Sequence, residues 1–191
     1  MPLPFPTRFL TPWLLPSPFP DLAGALISMR FQAILASTDS LTRRLEILTG
    51  QPSHIRLETQ QLQSNPQDLP DVWSPDYPLD PSSPALTRNA WLAFGEHDLV
   101  FAHSQLTLTG MSETTQQAIR RGEQPLGSLF LSRDKPVARH MLQLAAASAP
   151  TLAQRLQLPE DKIFIGRRSL FMVTDQICGR ILELFLTDLS L

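Results

Sequence analysis

The sequence predicts an α+β fold: an antiparallel β-sheet with helices packed on one side. Residues 86–107 and 163–186 each contain two alternating apolar segments joined by a short polar connection, which is typical of a β-hairpin. Residues 41–48 instead have leucines at helical spacing after Ser40, which can cap a helix, and Ser112 can cap a second helix that ends at Gly122. Hairpins join antiparallel strands, and the sequence contains no strand–helix–strand repeat, so we expect an α+β arrangement.

A helix, a strand and a long loop account for the first part of the folded chain. Ser40 can cap a helix whose leucines share one face and which stops at Gly50. Residues 54–62 alternate between apolar and polar side chains, as a half-buried strand does. Residues 63–85 are rich in Pro, Asp and Ser, so they predict a loop that Trp73 could anchor.

The second part of the chain predicts two hairpins separated by a helix and a mixed segment. Ser112 can cap a helix that ends at Gly122. Residues 136–144 predict a strand, and residues 145–157 predict a helix interrupted at Pro150. The hairpin strands are expected at 86–94 with 99–107, and at 163–173 with 177–186.

The first 30 residues differ in composition from the rest. We expect residues 1–30 to form an irregular extension and residues 31–191 to form the folded domain, because no helix or central strand tolerates so many prolines. The favoured interpretation is a tail or a wrongly assigned start, with Met29 as the true one; a docking segment or targeting signal is the alternative. The prolines are Pro2, Pro4, Pro6, Pro12, Pro16, Pro18 and Pro20.

Composition narrows the class of protein. Hydrophobic residues form 42% of the 191 residues and charged residues 18%, which is typical of a globular domain. The formal net charge of −2 gives no basic surface for nucleic acid. A single cysteine, Cys178, excludes an internal disulfide and fits a reducing compartment. No apolar run reaches the roughly 18 residues that span a bilayer, so we expect a cytoplasmic protein without membrane insertion.

Two charged residues lie on apolar strand faces. Side chains alternate along a strand, so Arg88 shares a face with Leu86, Ala90 and Leu92, where an unpaired charge is costly. Glu183 lies in a strand that is apolar on both faces, as a central strand is. Burial alone would raise the pKa of the Glu183 carboxyl and suit it to proton transfer. The alternative is that the two residues form a purely structural buried ion pair.

Other kinds of site receive little support from the sequence. The four histidines show no metal-ligand spacing, and there is no nucleophile elbow, phosphate-binding loop or dinucleotide fingerprint. We expect His103 to be a histidine of the core or its rim, and Cys178 to be a small buried apolar residue. No metal site is predicted.

Six short motifs, taken in order, resemble the chorismate lyase (chorismate pyruvate-lyase) family. They span roughly residues 39–187, and their order and spacing are more specific than any single motif. The motifs are Asp39-Ser40-Leu41-Thr42-Arg43-Arg44-Leu45, Thr87-Arg88-Asn89-Ala90-Trp91-Leu92, Leu108-Thr109-Gly110, Gln124-Pro125-Leu126-Gly127-Ser128-Leu129-Phe130, Gly166-Arg167-Arg168-Ser169 and Ile181-Leu182-Glu183-Leu184-Phe185-Leu186.

The resemblance implies an activity, a fold and a set of site residues. Members of the family remove pyruvate from chorismate and leave 4-hydroxybenzoate, a precursor of prenylated quinones, without metal or organic cofactor. The fold would be an antiparallel sheet with an internal ligand cavity. Arg88 would bind the ring carboxylate, Glu183 would contact the ring hydroxyl, and the backbones of Leu41 and Leu126 would supply two more contacts. A monomer that binds a small molecule, and no nucleic acid, is expected.

The chain also departs from the family pattern. Asn89 replaces a usual glutamate, Ser104 an arginine and Ile165 a tryptophan, and residues 145–161 resemble an insertion. This pattern is similar to a divergent branch of the cyanobacterial type, where the quinone would be plastoquinone. The alternatives are a non-catalytic protein that binds a small aromatic acid and a structural or assembly factor.

The sequence leaves the second carboxylate of chorismate without a clear partner. Arg167 or Arg168 could bind it, although alternation along a strand sends these two side chains to opposite faces.

Overall fold

A seven-stranded antiparallel sheet organises the computed structural model, which describes residues 3–22, 24, 27–64, 72–80, 83–109, 111–126, 138–173 and 176–186. Its strand order is β1-β5-β6-β7-β4-β3-β2, and each neighbouring pair is antiparallel. The strands are β1 (Arg8–Phe9), β2 (Ser53–Gln63), β3 (Ala85–Phe94), β4 (His97–Thr107), β5 (Ala138–Ser148), β6 (Ile163–Val173) and β7 (Gln176–Leu186). The helices described from end to end are α1 (Met29–Leu35), α2 (Leu41–Thr49), α3 (Glu113–Arg121) and α4 (Pro150–Arg155).

The caps of α2 and α3 are those that the sequence predicts. Ser40 Oγ accepts a hydrogen bond from the Arg43 N–H at the start of α2, and Ser112 Oγ does the same at α3. Both helices end at a glycine in the left-handed region, with φ of 69° at Gly50 and 71° at Gly122. A side chain at that φ would be strained, which explains why the two glycines end the helices.

The two predicted hairpins form and lie side by side. β3 pairs with β4 and β6 with β7, and the central contact between β4 and β7 joins them. In that register Ala102 stands opposite Glu183 on one side and opposite Ala90 on the other. β7 therefore runs through the middle of the sheet, as its apolar faces predict.

Helices cover both faces of the sheet, which differs from the expected one-sided packing. We call the sheet surface that carries Glu183 the near face, and the surface that carries Leu182 the far face. α1 and α2 pack on the near face through residues such as Phe31 and Leu45, and α3 packs there through Ile119. α4 lies on the far face, where its Leu152 and Ala153 join a core with Trp91 and Phe101.

The expected helix over residues 145–157 was wrong in its first half. β5 continues to Ser148, because Ala145, Ala146 and Ala147 pair with β6 and are fully buried. Alanine favours helices when nothing else decides, and here strand pairing in a closely packed interior overrides that preference. The helix begins only at Pro150, which occupies its first turn, where a missing N–H costs nothing.

The proline-rich segment is irregular, as expected, but it packs along an edge of the sheet. β1 pairs with β5, and the Leu14 and Leu144 backbones exchange two hydrogen bonds of 2.8 Å. Phe5 is buried in the far-face core with its ring edge-on to Phe101, whereas Leu22 is buried in the near-face core. The segment thus covers the edge of β5, and edge strands are where prolines are tolerated. The boundary at residue 30 stays a prediction.

Of the long loop expected at 63–85, the structure describes residues 63, 64, 72–80 and 83–85. Trp73 and Tyr77 are buried in the far-face core with Trp91, so Trp73 does anchor this segment. Among the described residues, no helix is long and apolar enough to cross a membrane.

Replacement of Phe5 by alanine tests whether the proline-rich segment contributes to stability. Loss of this buried ring should lower the free energy of unfolding by about 3 kcal/mol, the low end for a large core aromatic. Leu15→Ala is the matched control in the same segment, because Leu15 is 66% exposed and should change little. Chemical denaturation of both variants measures the difference, and equal stabilities would contradict the packing of Phe5.

Candidate functional site

A small cavity of about 50 Å³ lies on the near face, between the start of α2 and the turn after α3. A single water needs roughly 10–15 Å³ on this measure, so the cavity has room for a few water molecules. Most of its wall is apolar, and its charged groups are two arginines and one glutamate. The lining residues are Leu41, Thr42, Ile55, Arg88, Ala90, Leu92, Val100, Ala102, Ser104, Pro125, Leu126, Arg139, Ile181 and Glu183.

Arg88 enters this cavity from β3. Its side chain donates hydrogen bonds to the Gly122 carbonyl at 3.1 Å and to the Gln124 carbonyl at 3.3 and 3.4 Å. The residue is only 2% exposed, and none of the acidic side chains that the structure describes forms an ion pair with it. Its Nε–H is buried without a partner. Arg88 is therefore a buried cation with donors to spare, as an anion-binding group should be.

Glu183 enters the cavity from β7 and is held by two arginines. Arg139 grips both carboxylate oxygens, with Nη1 3.0 Å from Oε2 and Nη2 2.9 Å from Oε1. Arg167 Nε donates to Oε2 at 2.7 Å. All three side chains are buried or nearly so. The arrangement fixes the carboxylate in the cavity wall and leaves Oε1 with capacity for one more donor.

The pKa of Glu183 shifts in the direction opposite to the one expected from burial. Burial on its own raises the pKa, but the charges and hydrogen bonds of Arg139 and Arg167 outweigh it and lower the pKa to about 2. The prediction of a raised pKa was wrong, because the sequence did not indicate that two guanidinium groups would face one carboxylate. Glu183 is therefore ionised at any pH at which the protein is expected to work.

The structure brings Arg88 and Glu183 together in one cavity. Ala102 stands opposite Glu183 and Ser104 opposite Arg88, so one strand, β4, lies between the two residues. Two strand spacings across the sheet and two residues along it put their Cα atoms about 12 Å apart. Both side chains point to the near face, so a small ligand could contact both.

The two residues expected to contribute backbone contacts also line the cavity. Leu41 is the first residue of α2, and the N–H groups of a first helical turn have no partner within the helix. Leu126 follows the Gly122–Gln124 turn that holds Arg88. The rest of that motif, residues 127–130, lies outside the described residues. The contacts themselves stay a prediction.

Neither Arg167 nor Arg168 fits the expected role of binding a second carboxylate. Arg167 is fully buried behind Glu183, and its Nη1 faces the Ile34 and Leu35 carbonyls at the end of α1, at 3.3 and 3.4 Å. Arg168 lies on the far face, where it donates to Gln143 and to the Val72 carbonyl. The expected opposite orientation of the two is confirmed, but neither side chain lines the cavity.

Sequence reasoning missed Arg139, the second arginine of the cavity wall. β5 contains a bulge between His140 and Gln143, where Met141 has a left-handed φ of 52°. The extra residue reverses the alternation of side chains before it, so Arg139 lies on the near face with Phe171. Regular alternation from Leu144 would have placed Arg139 on the far face. Met141 is not a residue type that indicates such a bulge, so sequence reasoning could not predict it.

The departures from the family pattern fall in different places. Ser104 lines the cavity, so a short neutral side chain stands where an arginine was expected. Asn89 lies on the far face, where its Oδ1 is 2.7 Å from His103 Nδ1. Burial, helped by the charge of Arg180, lowers the pKa of His103 to about 3 and keeps it neutral. Within the described ranges, no cluster of His, Cys, Asp and Glu could hold a metal ion.

Comparison with protein families identifies the chain. The family model described as Chorismate pyruvate-lyase Rv2949c-like matches residues 35–190. The chain belongs to this family. As a member of the chorismate pyruvate-lyase family it carries Arg88 and Glu183 inside the matched range. No curated protein sequence matches the chain.

Two solved structures have a fold similar to that of this chain. The effector domain of PhnF from Mycobacterium smegmatis has a TM-score of 0.59 and 12% identity, over 78% of this chain and 90% of that one. The ligand-binding domain of a putative GntR-family regulator from Bordetella bronchiseptica has a TM-score of 0.53 and 18% identity, over 71% and 86%. At such low sequence identities, the similarity shows only that this member of the chorismate pyruvate-lyase family shares their fold.

The stability of the protein should depend on pH through Glu183. A carboxyl whose pKa is lower in the folded state stabilises the fold above its unfolded pKa, and this stabilisation is lost as the pH falls towards the folded value. Between pH 5 and pH 2 the wild type should therefore lose about 3 kcal/mol more than Glu183→Gln does. Denaturation at several pH values measures this difference.

The control for this experiment is Glu96→Gln, because Glu96 is exposed at the tip of the first hairpin. It should follow the wild-type pH dependence. Identical slopes for the wild type and Glu183→Gln would contradict the two-arginine arrangement.

Proposed function

We propose that the protein converts chorismate into 4-hydroxybenzoate and pyruvate. The observation that carries the proposal is the cavity of the near face, in a chain of the chorismate pyruvate-lyase family. One wall supplies Arg88, a buried cation without an acidic partner among the described residues, and the same wall supplies an ionised Glu183. Chorismate has a ring carboxylate that can bind the guanidinium group and a ring hydroxyl that can donate a hydrogen bond to the carboxylate.

The ring carboxylate of chorismate is assigned to Arg88. A guanidinium presents a planar set of donors that suits a carboxylate, and three hydrogen bonds to carbonyls leave two of its five N–H groups unused. The N–H groups of Leu41 at the start of α2 and of Leu126 are the other donors assigned to the ligand. The partial positive charge of a helix N-terminus favours an anion there.

The ring hydroxyl is assigned to Glu183. The lowered pKa keeps Glu183 ionised, so it can accept a hydrogen bond from the ring hydroxyl, but it also makes the carboxylate a weak base, so its role is to orient the ring rather than to store a proton. In the reaction the bond between the ring and the ether oxygen breaks, and the ring carbon that bears the hydroxyl loses its proton. The released enolpyruvate takes up a proton and becomes pyruvate. Aromatisation supplies the driving force, so the protein need only position the substrate and stabilise charge.

A second candidate is a protein that binds a small aromatic acid without turnover. The similarity of its fold to that of a structure described as the ligand-binding domain of a putative regulator supports this candidate. Arg88 and Glu183 would look the same in both cases. Formation of 4-hydroxybenzoate from chorismate distinguishes the two candidates, since a protein that only binds would bind 4-hydroxybenzoate and leave chorismate unchanged. A structural or assembly factor would neither bind 4-hydroxybenzoate nor convert chorismate.

The finer expectations rest on the family resemblance. We propose that 4-hydroxybenzoate from this reaction enters quinone synthesis, with plastoquinone or ubiquinone as the end product. We also propose that the protein acts as a monomer in the cytoplasm and needs no cofactor.

Replacement of Arg88 by lysine tests the proposed carboxylate site. Lysine keeps the charge but not the planar set of donors, so kcat/KM for chorismate should fall by about 10- to 100-fold, the range for a charge-assisted hydrogen bond. Chromatographic detection of 4-hydroxybenzoate provides the measurement. Arg120→Lys, at an exposed position on α3, is the matched control. Unchanged activity in Arg88→Lys would remove Arg88 from the site.

The pH dependence of turnover tests the assigned role of Glu183. Its carboxyl has a lowered pKa, and burial lowers the pKa of Arg88 only to about 10, so neither group titrates between pH 5.5 and 8. We expect kcat/KM to be flat over this range. A fall towards acid with a midpoint near pH 6.5 would mean that a group with a raised pKa accepts the proton, contrary to this assignment.

A further inference from the structure

The charged groups around the cavity carry a surplus of positive charge. Arg88, Arg139 and Arg167 are three guanidinium groups, and Glu183 is the acidic side chain that the structure places among them. The described residues of the site therefore have a formal charge of +2. A buried charge is costly unless it is paired, so such a site favours a ligand with two negative charges over a ligand with one.

Two of the three arginines are available to a ligand. Arg88 and Arg139 line the cavity, whereas Arg167 is fully buried behind Glu183 and does not line it, although its Nη2 has no hydrogen-bond partner among the described residues. Arg88 comes from β3 and Arg139 from β5, with β4, β7 and β6 between them in the sheet. The two cations therefore approach the ligand from opposite sides.

The hydrogen bonds of Arg139 leave one edge of its guanidinium group unused. Nη1 donates to Ser169 Oγ at 3.1 Å and to Glu183 Oε2, and Nη2 donates to Glu183 Oε1. These bonds use the end of the group that Nη1 and Nη2 form. The Nε–H and the second Nη2 hydrogen point to the side, and none of the described residues accepts a hydrogen bond from them. Two parallel N–H groups of this kind can bind a carboxylate in a bidentate manner.

Arg139 is held in place by more than Glu183. Its guanidinium group lies 5.0 Å from the centre of the Phe171 ring, which is a cation–π distance. The bulge at Met141 places the residue on the near face in the first place. A side chain that is oriented in advance by a ring, a hydroxyl and a carboxylate loses little entropy on binding a ligand.

We propose that Arg139 binds the second carboxylate of the substrate, the one on the enolpyruvyl side chain, and so makes the site selective for dicarboxylates. The proposal rests on the proposed function for the identity of the substrate. It takes the place of Arg167 and Arg168 in the role expected from the sequence. Glu183 and Arg139 then act side by side, with the ring hydroxyl on the carboxylate and the side-chain carboxylate on the free edge of the guanidinium group.

The test compares two stable ligands that cannot react. 3-(Carboxymethoxy)-4-hydroxybenzoate has, like chorismate, a ring carboxylate, a hydroxyl para to it and a side-chain carboxylate on an ether at the ring carbon next to the hydroxyl, and 4-hydroxy-3-methoxybenzoate lacks the second carboxylate. Calorimetry should show that the wild type binds the dicarboxylate about 10- to 100-fold more tightly, the factor for one charge-assisted contact. In Arg139→Gln this preference should disappear, so that the two affinities become equal within about threefold.

Arg139→Lys keeps the charge but not the two parallel donors, and it should show an intermediate preference. It also serves if Arg139→Gln does not fold, because lysine still neutralises Glu183. Arg120→Lys is the surface control and should retain the full preference. If Arg139 has only a structural role, its replacement should weaken the binding of both ligands equally, because both depend on the cavity wall that Glu183 forms.

The outcome is independent of turnover. A wild type that binds both ligands equally, or an Arg139→Gln variant that keeps the preference, would overturn the proposal even if chorismate is converted. A preference that depends on Arg139 without any release of 4-hydroxybenzoate would support the dicarboxylate site and contradict the proposed lyase activity.

Discussion

The ion triad of Glu183 with Arg139 and Arg167 is the interaction on which the near face depends. A lone glutamate at the centre of an apolar sheet would either take up a proton or destabilise the fold. With Arg139 on both oxygens and Arg167 on one, the carboxylate stays charged and fixed in direction. Arg167 extends the same contact to the end of α1, so the carboxylate also positions the helix that closes this side of the core.

Carbonyl groups at helix ends accept hydrogen bonds from the buried guanidinium groups of Arg88 and Arg167. The last carbonyls of a helix have no partner within it and carry partial negative charge. Arg167 uses the carbonyls at the end of α1, and Arg88 uses the carbonyl of Gly122, which caps α3, together with that of Gln124. Neutral carbonyls hold Arg88 without cancelling its charge. Arg88 is therefore anchored and still available to an anion, which an acidic partner would not have allowed.

Much of the fold could be predicted because its signals are local. Serine caps, terminal glycines and hairpin connections act within a few residues, so α2, α3 and both hairpins agree with the sequence. Alternation along each strand also placed Arg88 and Glu183 among apolar neighbours, but their convergence in one cavity was expected only from the family resemblance. The errors arose where distant contacts decide, as in the alanines of β5, which pair with β6 instead of forming a helix. The prediction of a raised pKa for Glu183 was wrong for the same reason, since the direction of the pKa shift depends on arginines 16 and 44 residues away in the sequence.

Arg139 shows how one backbone irregularity can determine the chemistry of a site. Without the bulge of β5, alternation would direct its side chain to the far face, which already holds Arg168 and Arg180 among buried aromatic rings. With the bulge, the near face has two cations open to the cavity and the far face has a packed core. Bulges commonly redirect a side chain beside a functional site.

The left-handed φ of Met141 is unfavourable for a residue with a side chain, and the paired strands around it must compensate for that cost. The proposed site for a dianion thus depends on one extra residue in one strand. If such a dianion is split into two monoanions, each product keeps only one of the two guanidinium contacts, so binding weakens as the reaction proceeds and release is favoured.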